Sequence, residues 1–275
     1  MSAANEIKSM KLYSAVERIY ADLEAEGLGR DAPLSVDVLN KYDQLHYFGT
    51  EAVDEAVAYC GIGGEARVLD VGAGFGGPAR YLADRTGARI DAVELQPDLN
   101  AAASDLTERC GLGERISHVE GDILKTPLDQ GGFDAVVSWL ALYHIPDRGP
   151  LYPGLKSALR SGGSLYVEDL YCRAPLSAAE EEDMRVMLFS NTLPTEDAYR
   201  AEVEGAGFAE VEFDDMTEPW AAFTAERLSA FRGNREAYVA RHGEATYASL
   251  EAFYDTIARL LGDGNVGGVR LRARA

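Results

Sequence analysis

The 275-residue sequence predicts an α/β fold with a mostly parallel sheet, and three observations support this. An apolar run at 68–71 leads into a glycine-rich turn and then into a helix-like stretch from Pro78, which is the first half of a βαβ unit. Strand-like and helix-like runs then alternate along the chain. Finally, a glycine turn at 205–207 precedes one more strand-like run, and a last such run lies at 266–273.

Local periodicity places the elements in order. The predicted strands after the first one cover 89–94, 115–121, 133–138, 164–168, 209–213 and 266–273. Helices are predicted at 5–26, at 50–59, after the glycine turn, and from Pro97 to Gly111. The first of these helices has apolar residues at three- and four-residue spacing, namely Met10, Tyr13, Val16, Tyr20 and Leu23.

A minimal fold of this kind does not require the helical segment that is predicted at about 217–262. Its apolar stripe consists of Leu250, Phe253, Tyr254, Ile257, Leu260 and Leu261. The stripe predicts either a cap over the domain or a homodimer interface, because both bury an apolar face. The expected organisation is therefore an N-terminal helical lid at 1–60 and a domain at 61–275 that contains the cap insertion.

The glycine turn itself, with the sequence VLDVGAGFGG at 68–77, predicts a site for a nucleoside-bearing cofactor. Glycine allows positive φ angles and a close approach of ligand to backbone, and the following helix N-terminus offers free N–H groups. Gly72, Gly74 and Gly77 fit the dinucleotide pattern G-x-G-x-x-G, and Glu94 lies about 20 residues further on. The glycines alone therefore leave open an NAD protein and a protein that binds S-adenosylmethionine (SAM).

Acidic residues at successive strand ends favour SAM. Asp70 beside the turn would repel a pyrophosphate, whereas SAM carries an ammonium and a sulfonium. Glu94 and Asp122 follow the second and third strands, where ligands of open α/β sheets bind. Glu94 there can accept the ribose hydroxyls, and Asp122 can accept the adenine amino group.

In these motifs the sequence resembles the class I SAM-dependent methyltransferases over roughly 60–275. The matching segments are VLDVGAGFGG, AVELQP, EGDIL, FDAVVSWLALYH and the GAGF turn. The resemblance implies a Rossmann-like seven-stranded sheet, mostly parallel, whose final strand inserts antiparallel. It also implies a set of SAM-binding residues: Asp70, Gly72, Ala73, Gly74, Glu94, Leu95, Asp122, Ile123 and Ser138.

Within this class, the amine methyltransferases that act on sarcosine, dimethylglycine or phosphoethanolamine are the most similar. The shared features are the cofactor loop, the segment Leu140–His144 and the GGV sequence of the last strand. An amine acceptor must lose its ammonium proton before it can attack the methyl group, so a nearby base is expected. The predicted catalytic residues are His144, His46 and Tyr47, and the predicted substrate-binding residues are Tyr42, Trp139, Tyr143 and Tyr171.

Each of these assignments has a structural alternative. His144 also suits a histidine packed under the apolar loop that follows it. The aromatic segment YDQLHYFG at 42–49 suits a core contact for the N-terminal helix as well as a lid. Glu168 and Asp169 either hold a substrate cation or cap the fifth strand in solvent.

Composition sets limits on partners and location. With 46 acidic and 26 basic residues, the formal charge of −20 argues against nucleic acid and anionic membranes and favours cationic or zwitterionic substrates, although acidity also serves solubility. The three cysteines lack metal or CxxC spacing, and no signal peptide or membrane span is visible, so a cytoplasmic protein without metal is expected.

The sequence thus favours a SAM-dependent methyltransferase acting on a small molecule, with a small amine or amino acid as the preferred acceptor. The alternatives are O- or S-methylation of a small metabolite, an NAD(P)-dependent oxidoreductase that uses the same glycines, and a SAM-binding module without catalysis. Asp70 and the acid Asp122 in the EGD segment after the third strand count against the oxidoreductase.

Overall fold

One seven-stranded sheet organises the structure, a computed structural model that describes residues 16–190, 193–262 and 264–275. The strands are β1 (Arg67–Val71), β2 (Arg89–Glu94), β3 (Ile116–Glu120), β4 (Phe133–Trp139), β5 (Leu159–Cys172), β6 (Ala209–Asp215) and β7 (Val266–Arg274). Their order is β3-β2-β1-β4-β5-β7-β6. The first five strands are parallel, and β7 runs antiparallel to both of its neighbours. The predicted sheet with its antiparallel last strand is confirmed.

Helices cover both faces of the sheet and extend the domain at one end. They are α1 (Val16–Ala25), α2 (Val36–Leu39), α3 (Thr50–Cys60), α4 (Gly77–Thr86), α5 (Pro97–Arg109), α6 (Leu151–Ala158), α7 (Ala178–Val186), α8 (Glu196–Gly205), α9 (Thr217–Gly233), α10 (Arg235–His242) and α11 (Glu244–Gly262). The predicted helix at 5–26 is present from Val16; its earlier part, with Met10 and Tyr13, lies outside the described residues. Within the described residues, no helix is both long enough and apolar enough to cross a bilayer.

Alternation along the central strands builds two cores. In β1, Val68 belongs to the core under α3 and α4, whereas Leu69 belongs to the core under α6 and α8. Because successive side chains of a strand point to opposite faces, consecutive apolar residues such as Val68 and Leu69 suit a strand covered by helices on both sides. The sheet is therefore buried on both faces at its centre, and its strand ends are free to form a site.

Strand β5 is longer than the predicted 164–168, because it continues to Cys172. The polar residue Asp169 suggests an end to the apolar run, but β7 pairs with β5 from Ser164 through Cys172. Asp169 is fully buried and accepts hydrogen bonds from Tyr199 Oη at 2.8 Å and from the Tyr143 N–H at 3.1 Å. Its polar atoms are thus satisfied inside the protein, so the strand does not end there.

The apolar stripe of the cap is buried within the chain. Ile257, Leu260 and Leu261 of α11 pack with Trp220 of α9 and with Val266 at the start of β7. The cap, α9 to α11, therefore covers the sheet end beside β7. It also contacts the N-terminal helix, because Asp22 of α1 pairs with the two residues at the end of α10, Arg241 and His242, at 2.8 and 2.9 Å.

A buried ion pair attaches the N-terminal segment to the glycine turn. The Arg80 and Asp43 side chains are 0% and 1% exposed, with 2.9 Å between Nη2 and Oδ2. Arg80 also donates to the carbonyls of Phe75 and Ala103 and to the Thr107 hydroxyl. One guanidinium thus connects the segment before α3, the glycine turn and helix α5.

We predict that Asp43→Ala lowers the free energy of unfolding by about 3–5 kcal/mol, because it leaves the buried Arg80 without its counter-charge. Urea denaturation measures this loss. The matched control is Asp54→Ala. Asp54 lies on α3 and pairs at the surface with Arg85 of α4, where it also accepts the Tyr81 hydroxyl, so its loss changes stability little. Equal shifts of the two unfolding midpoints would contradict the role given to the buried pair.

Candidate active site

A cavity of about 540 Å³ opens at the carboxyl ends of β1, β2, β3 and β4, which is a suitable size for a small-molecule ligand. Its base is the glycine turn between β1 and α4. Its walls are the residues after β2, β3 and β4 together with the N-terminal segment around Leu45. All the predicted cofactor residues except Ser138 line this cavity, namely Asp70, Gly72, Ala73, Gly74, Glu94, Leu95, Asp122 and Ile123.

The glycine turn has no space for side chains at two positions. Gly72 has φ +76°, and a Cβ atom there would lie 2.3 Å from the Cβ of Ala141. A Cβ atom on Gly77 would lie 2.4 Å from the carbonyl oxygen of Asp43. The turn can therefore pass between the N-terminal segment and the loop after β4 only as glycine.

Asp70 is the unusual group of the site. It is 2% exposed, and its Oδ2 atom is buried without a hydrogen-bond partner among the described residues. Burial, with a smaller contribution from the Glu94 carboxylate, raises the pKa of Asp70 to about 7. A buried carboxylate of this kind needs a cation or a hydrogen-bond donor from a ligand, and it fits an ammonium group.

Glu94 is held in place by the backbone around it. Its Oε2 atom accepts the Gly74 N–H and its Oε1 atom accepts the Gln96 N–H, both at 2.8 Å. Burial raises the pKa of Glu94, and these N–H donors oppose that effect. Each carboxylate oxygen keeps a further acceptor position, so the side chain can still accept two hydroxyl groups.

The third acid, Asp122, lies after β3 and is more solvated. Its Oδ1 atom accepts the Leu124 N–H at 3.1 Å, and Lys125 Nζ lies 2.8 Å from its Oδ2 atom. Ser138, by contrast, does not line the cavity: its buried hydroxyl donates to the carbonyl of Val71 at 2.7 Å. As a residue inside β4, it fixes the end of β1 against β4, and the sequence prediction of Ser138 as a cofactor ligand finds no support in this geometry.

Two histidines lie on the other side of the cavity. His46 Nε2 lies 2.9 Å from the carbonyl of Gly49, and His144 Nδ1 lies 3.5 Å from the carbonyl of Phe189. Because a carbonyl can only accept, each of these nitrogens carries the proton, and the other ring nitrogen has the lone pair. Burial lowers the pKa of both histidines to about 4, so both are neutral at pH 7.

The predicted aromatic residues do not all reach the cavity. Trp139 lines it, with its ring centroid 5.6 Å from that of His46. Tyr47 and Tyr143 instead line a small side pocket beneath the cap. Tyr42 donates its hydroxyl to Glu26 beyond the end of α1. Tyr171 packs edge-on against Phe213 at 4.9 Å.

The position of Tyr171 follows from the length of β5. The predicted strand 164–168 ends before this residue, but Tyr171 lies within β5 and pairs with Gly267 of β7. Its side chain is therefore fixed against β6, and the prediction that it contacts substrate is not supported. Tyr42 belongs instead to the contact between the N-terminal segment and α5.

The comparisons with known proteins agree with this architecture. Residues 68–163 match a family described as "Methyltransferase domain". This part of the chain is thus similar to methyltransferase domains. The chain is 31% identical over 156 residues to a sarcosine/dimethylglycine N-methyltransferase of Halorhodospira halochloris, covering 57% of this chain and 56% of that protein. It is 25% identical over 202 residues to phosphoethanolamine N-methyltransferase 1 of Zea mays, covering 74% and 40%.

The fold of the chain also matches solved structures. One is phosphoethanolamine N-methyltransferase 2 of Haemonchus contortus, solved with phosphomonomethylethanolamine and S-adenosylhomocysteine. The TM-score is 0.76 at 20% identity, covering 82% of this chain and 52% of that one. The match confirms the predicted class I methyltransferase fold. The alignments span about half of the length of these relatives, or less.

Asp169 supports the loop that carries His144, a role that the sequence did not reveal. The Asp169 carboxylate accepts the Tyr143 N–H and lies 3.5 Å from Arg148, which itself donates to the Leu142 carbonyl. Glu168 is also fully buried and pairs with Arg270 at 2.9 Å. Neither acid is exposed to solvent, so the alternative that they cap the strand there is wrong. Neither lines the cavity, and the alternative that they hold a substrate cation stays a prediction.

We predict that Asp70→Asn stabilises the ligand-free protein at pH 8 by about 2–4 kcal/mol, at 1.36 kcal/mol per pKa unit. Between about pH 4 and pH 7, folded Asp70 keeps a proton that the unfolded chain has lost, so stability falls as pH rises across this window. Urea denaturation at pH 4 and pH 8 measures the effect, which should vanish at pH 4. Asp91→Asn, which removes a carboxylate paired with Arg67, is the control and should not stabilise. A less stable Asp70→Asn protein at pH 8 would contradict the assignment.

Proposed function

We propose that this protein transfers a methyl group from SAM to the nitrogen of a small amine or amino acid. The observation that carries the proposal is Asp70, a buried carboxylate in the cavity with one oxygen lacking a partner among the described residues. A cofactor with an ammonium group supplies that partner, whereas a pyrophosphate would meet repulsion there. The comparisons reported above give no support to the dinucleotide alternative.

The residues of the cavity fit the parts of SAM. Asp70 holds the ammonium, the N–H groups of the glycine turn face the carboxylate, and Glu94 accepts the ribose hydroxyls. Asp122 accepts the adenine amino group, and the side chains of Leu95 and Ile123 cover the faces of the adenine ring. When bound, SAM supplies an electrophilic methyl group on its sulfonium.

The acceptor side of the cavity consists of His46, Trp139 and His144. An amine attacks only as the neutral base, and an enclosed, partly apolar site disfavours the ammonium form. The lone pairs of the two neutral histidines are available to accept its proton. The rest of the rate acceleration comes from alignment of the amine with the methyl group, an effect worth up to about 7–11 kcal/mol in favourable cases.

The names of the relatives support nitrogen as the acceptor atom. The proteins of Halorhodospira halochloris and Zea mays are both named N-methyltransferases, and their named substrates are small amines. Both histidines are neutral at pH 7, as expected for groups that must accept a proton. No specific contact favours O- or S-methylation or a binding module without catalysis.

The setting of the reaction is also part of the proposal. We place the protein in the cytoplasm, because Cys60, Cys110 and Cys172 are all free thiols. Its partner is a small molecule rather than nucleic acid, because a chain with a formal charge of −20 repels phosphate backbones. Dimerisation through the cap would have to use residues other than the buried stripe of α11.

We predict that calorimetric titration shows binding of SAM and of its demethylated product, S-adenosylhomocysteine, but not of NAD. Asp70→Asn should weaken SAM binding by about 10-fold or more, because a hydrogen bond between charged groups contributes about 1.5–3 kcal/mol. Asp91→Asn should bind as the wild type does. Binding of NAD alone would refute the assignment of the cavity to SAM.

We predict that His144→Asn reduces kcat for amine methylation about 100-fold or more while SAM affinity is retained, because the substitution removes a proton acceptor. His242→Asn, at the contact between α1 and α10, is the control and should keep kcat within a few-fold. Single-turnover assays with labelled SAM measure both. Undiminished turnover in His144→Asn would remove this residue from the mechanism.

We predict that kcat/KM has no acidic limb near pH 6.5, the ordinary pKa of histidine. His46 and His144 have pKa values of about 4, so they stay neutral as the pH falls from 8 to 6. The loss of activity on acidification should instead follow the ammonium pKa of each amine tested. A limb near pH 6.5 that is the same for amines of different basicity would show that a histidine titrates.

A further inference from the structure

A second, much smaller pocket adjoins the main cavity beneath the cap. Leu45 and Leu140 line both spaces, so these two side chains form the boundary between them. The small pocket has a volume of about 20 Å³, which is enough for one water molecule or one polar atom of a ligand. Apart from Arg227, its lining is formed by apolar and neutral polar side chains.

Arg227 of α9 is the charged residue of this side pocket. It is partly buried, and its guanidinium carbon lies 5.1 Å from the ring centroid of Tyr254. Arg227 makes no ion pair within the described part of the chain, whereas Arg232 on the same helix pairs with Glu251 and Asp255 at 2.8 Å. In a chain with 46 acidic residues, a partly buried arginine without a carboxylate partner is a site for an anion from outside.

The position of Arg227 relates it to the acceptor side of the cavity. Burial has the largest effect on the pKa of His46 and lowers it, whereas the hydrogen bond with the Gly49 carbonyl raises it. The positive charge of Arg227 lowers the pKa further. Its positive field therefore reaches the group that faces the amine. The acids of the cavity, Asp70, Glu94 and Asp122, lie toward the ends of β1, β2 and β3.

The boundary residue Leu140 has a strained backbone. Its φ angle is +52°, which is uncommon for a leucine, and its N–H donates to the carbonyl of Glu168 at 2.7 Å. Strained residues of this kind persist where the surrounding structure fixes them and are concentrated at functional sites. Here this conformation places the Leu140 side chain between the cavity and the side pocket.

We infer that Arg227 binds the anionic end of the acceptor, so that the acceptor is a small amino acid whose carboxylate reaches past Leu45 and Leu140 into the side pocket. This inference rests on the proposed function. The limited space admits one carboxylate oxygen more readily than a phosphate group. The neutral pair of histidines then lies beside the amine, and the carboxylate fixes the direction of its lone pair. The carboxylate of SAM is the other source of the same chemistry, and the experiment separates the two.

The test compares the wild type with Arg227→Gln, Arg227→Lys and the control Arg232→Gln on the full chain. Initial rates of methyl transfer are measured with N-methylglycine, its uncharged amide and phosphoethanolamine, and calorimetry measures the affinity for SAM. The wild type should prefer N-methylglycine over its amide, and Arg227→Gln should raise KM for the acid by about 10- to 100-fold without changing SAM affinity. Arg227→Lys should retain part of the preference, and Arg232→Gln should match the wild type.

Calorimetry with N-methylglycine on the protein saturated with S-adenosylhomocysteine gives a second readout that is independent of turnover. Wild-type protein should bind the acid, and Arg227→Gln should bind it more weakly by the same factor. Methylation of the acid and the amide with equal efficiency in wild type and Arg227→Gln would overturn the inference while leaving the proposed function intact. A loss of SAM affinity in Arg227→Gln would assign the arginine to the cofactor and also overturn it.

Two further outcomes are decisive. A preference for phosphoethanolamine that disappears in Arg227→Gln would show that the anion is a phosphate, and the assignment to a carboxylate would be wrong. If the wild type binds SAM but neither methylates any of the three amines nor binds N-methylglycine, the proposed acceptor class fails and the inference fails with it. A protein that does not bind SAM would refute the proposed function at its first step.

Discussion

The buried ion pair between Arg80 and Asp43 is the constraint on which the site depends. It fixes the N-terminal segment against the glycine turn at Gly77, where the backbone of Asp43 lies directly against the glycine. Leu39 and Leu45 add apolar contacts in the cluster that contains Phe75. A buried pair costs desolvation energy, so its value lies in specificity of position rather than in stability alone. Here it brings His46, three residues after Asp43, to the edge of the cofactor cavity.

Asp70, in contrast, is a buried acid whose Oδ2 atom has no partner among the described residues. The pair at Arg80 is satisfied within the protein, but Asp70 keeps a carboxylate whose pKa is about 7 until a ligand arrives. The ionised Asp70 carboxylate lowers the stability of the ligand-free protein. Binding of a cation removes this cost and therefore contributes to affinity. The glycine turn thus fixes the shape of the site, and Asp70 supplies its charge. Both lie in the ten-residue segment 68–77.

That segment explains why the cofactor side could be predicted from the sequence and the acceptor side only in part. Asp70, Glu94 and Asp122 follow strands whose apolar runs are visible locally, and parallel pairing brings their ends together. Tyr171 was misplaced because the pairing of β5 with the distant β7 extends the strand past a polar residue. Arg80 with Asp43, and Asp169 with Tyr143, are contacts between residues distant in the chain, and no local pattern signals them.

The proposed acceptor side draws on the segment around His46 and the loop after β4, and the cap lines the side pocket that adjoins them. Because these parts meet only through tertiary packing, a substitution in the cap can change the acceptor without altering the cofactor residues. The glycine turn, in contrast, is fixed by backbone geometry that tolerates no side chain at Gly72. Acceptor choice in this protein is therefore set by packing between elements, and it can change while the cofactor site and its chemistry stay the same.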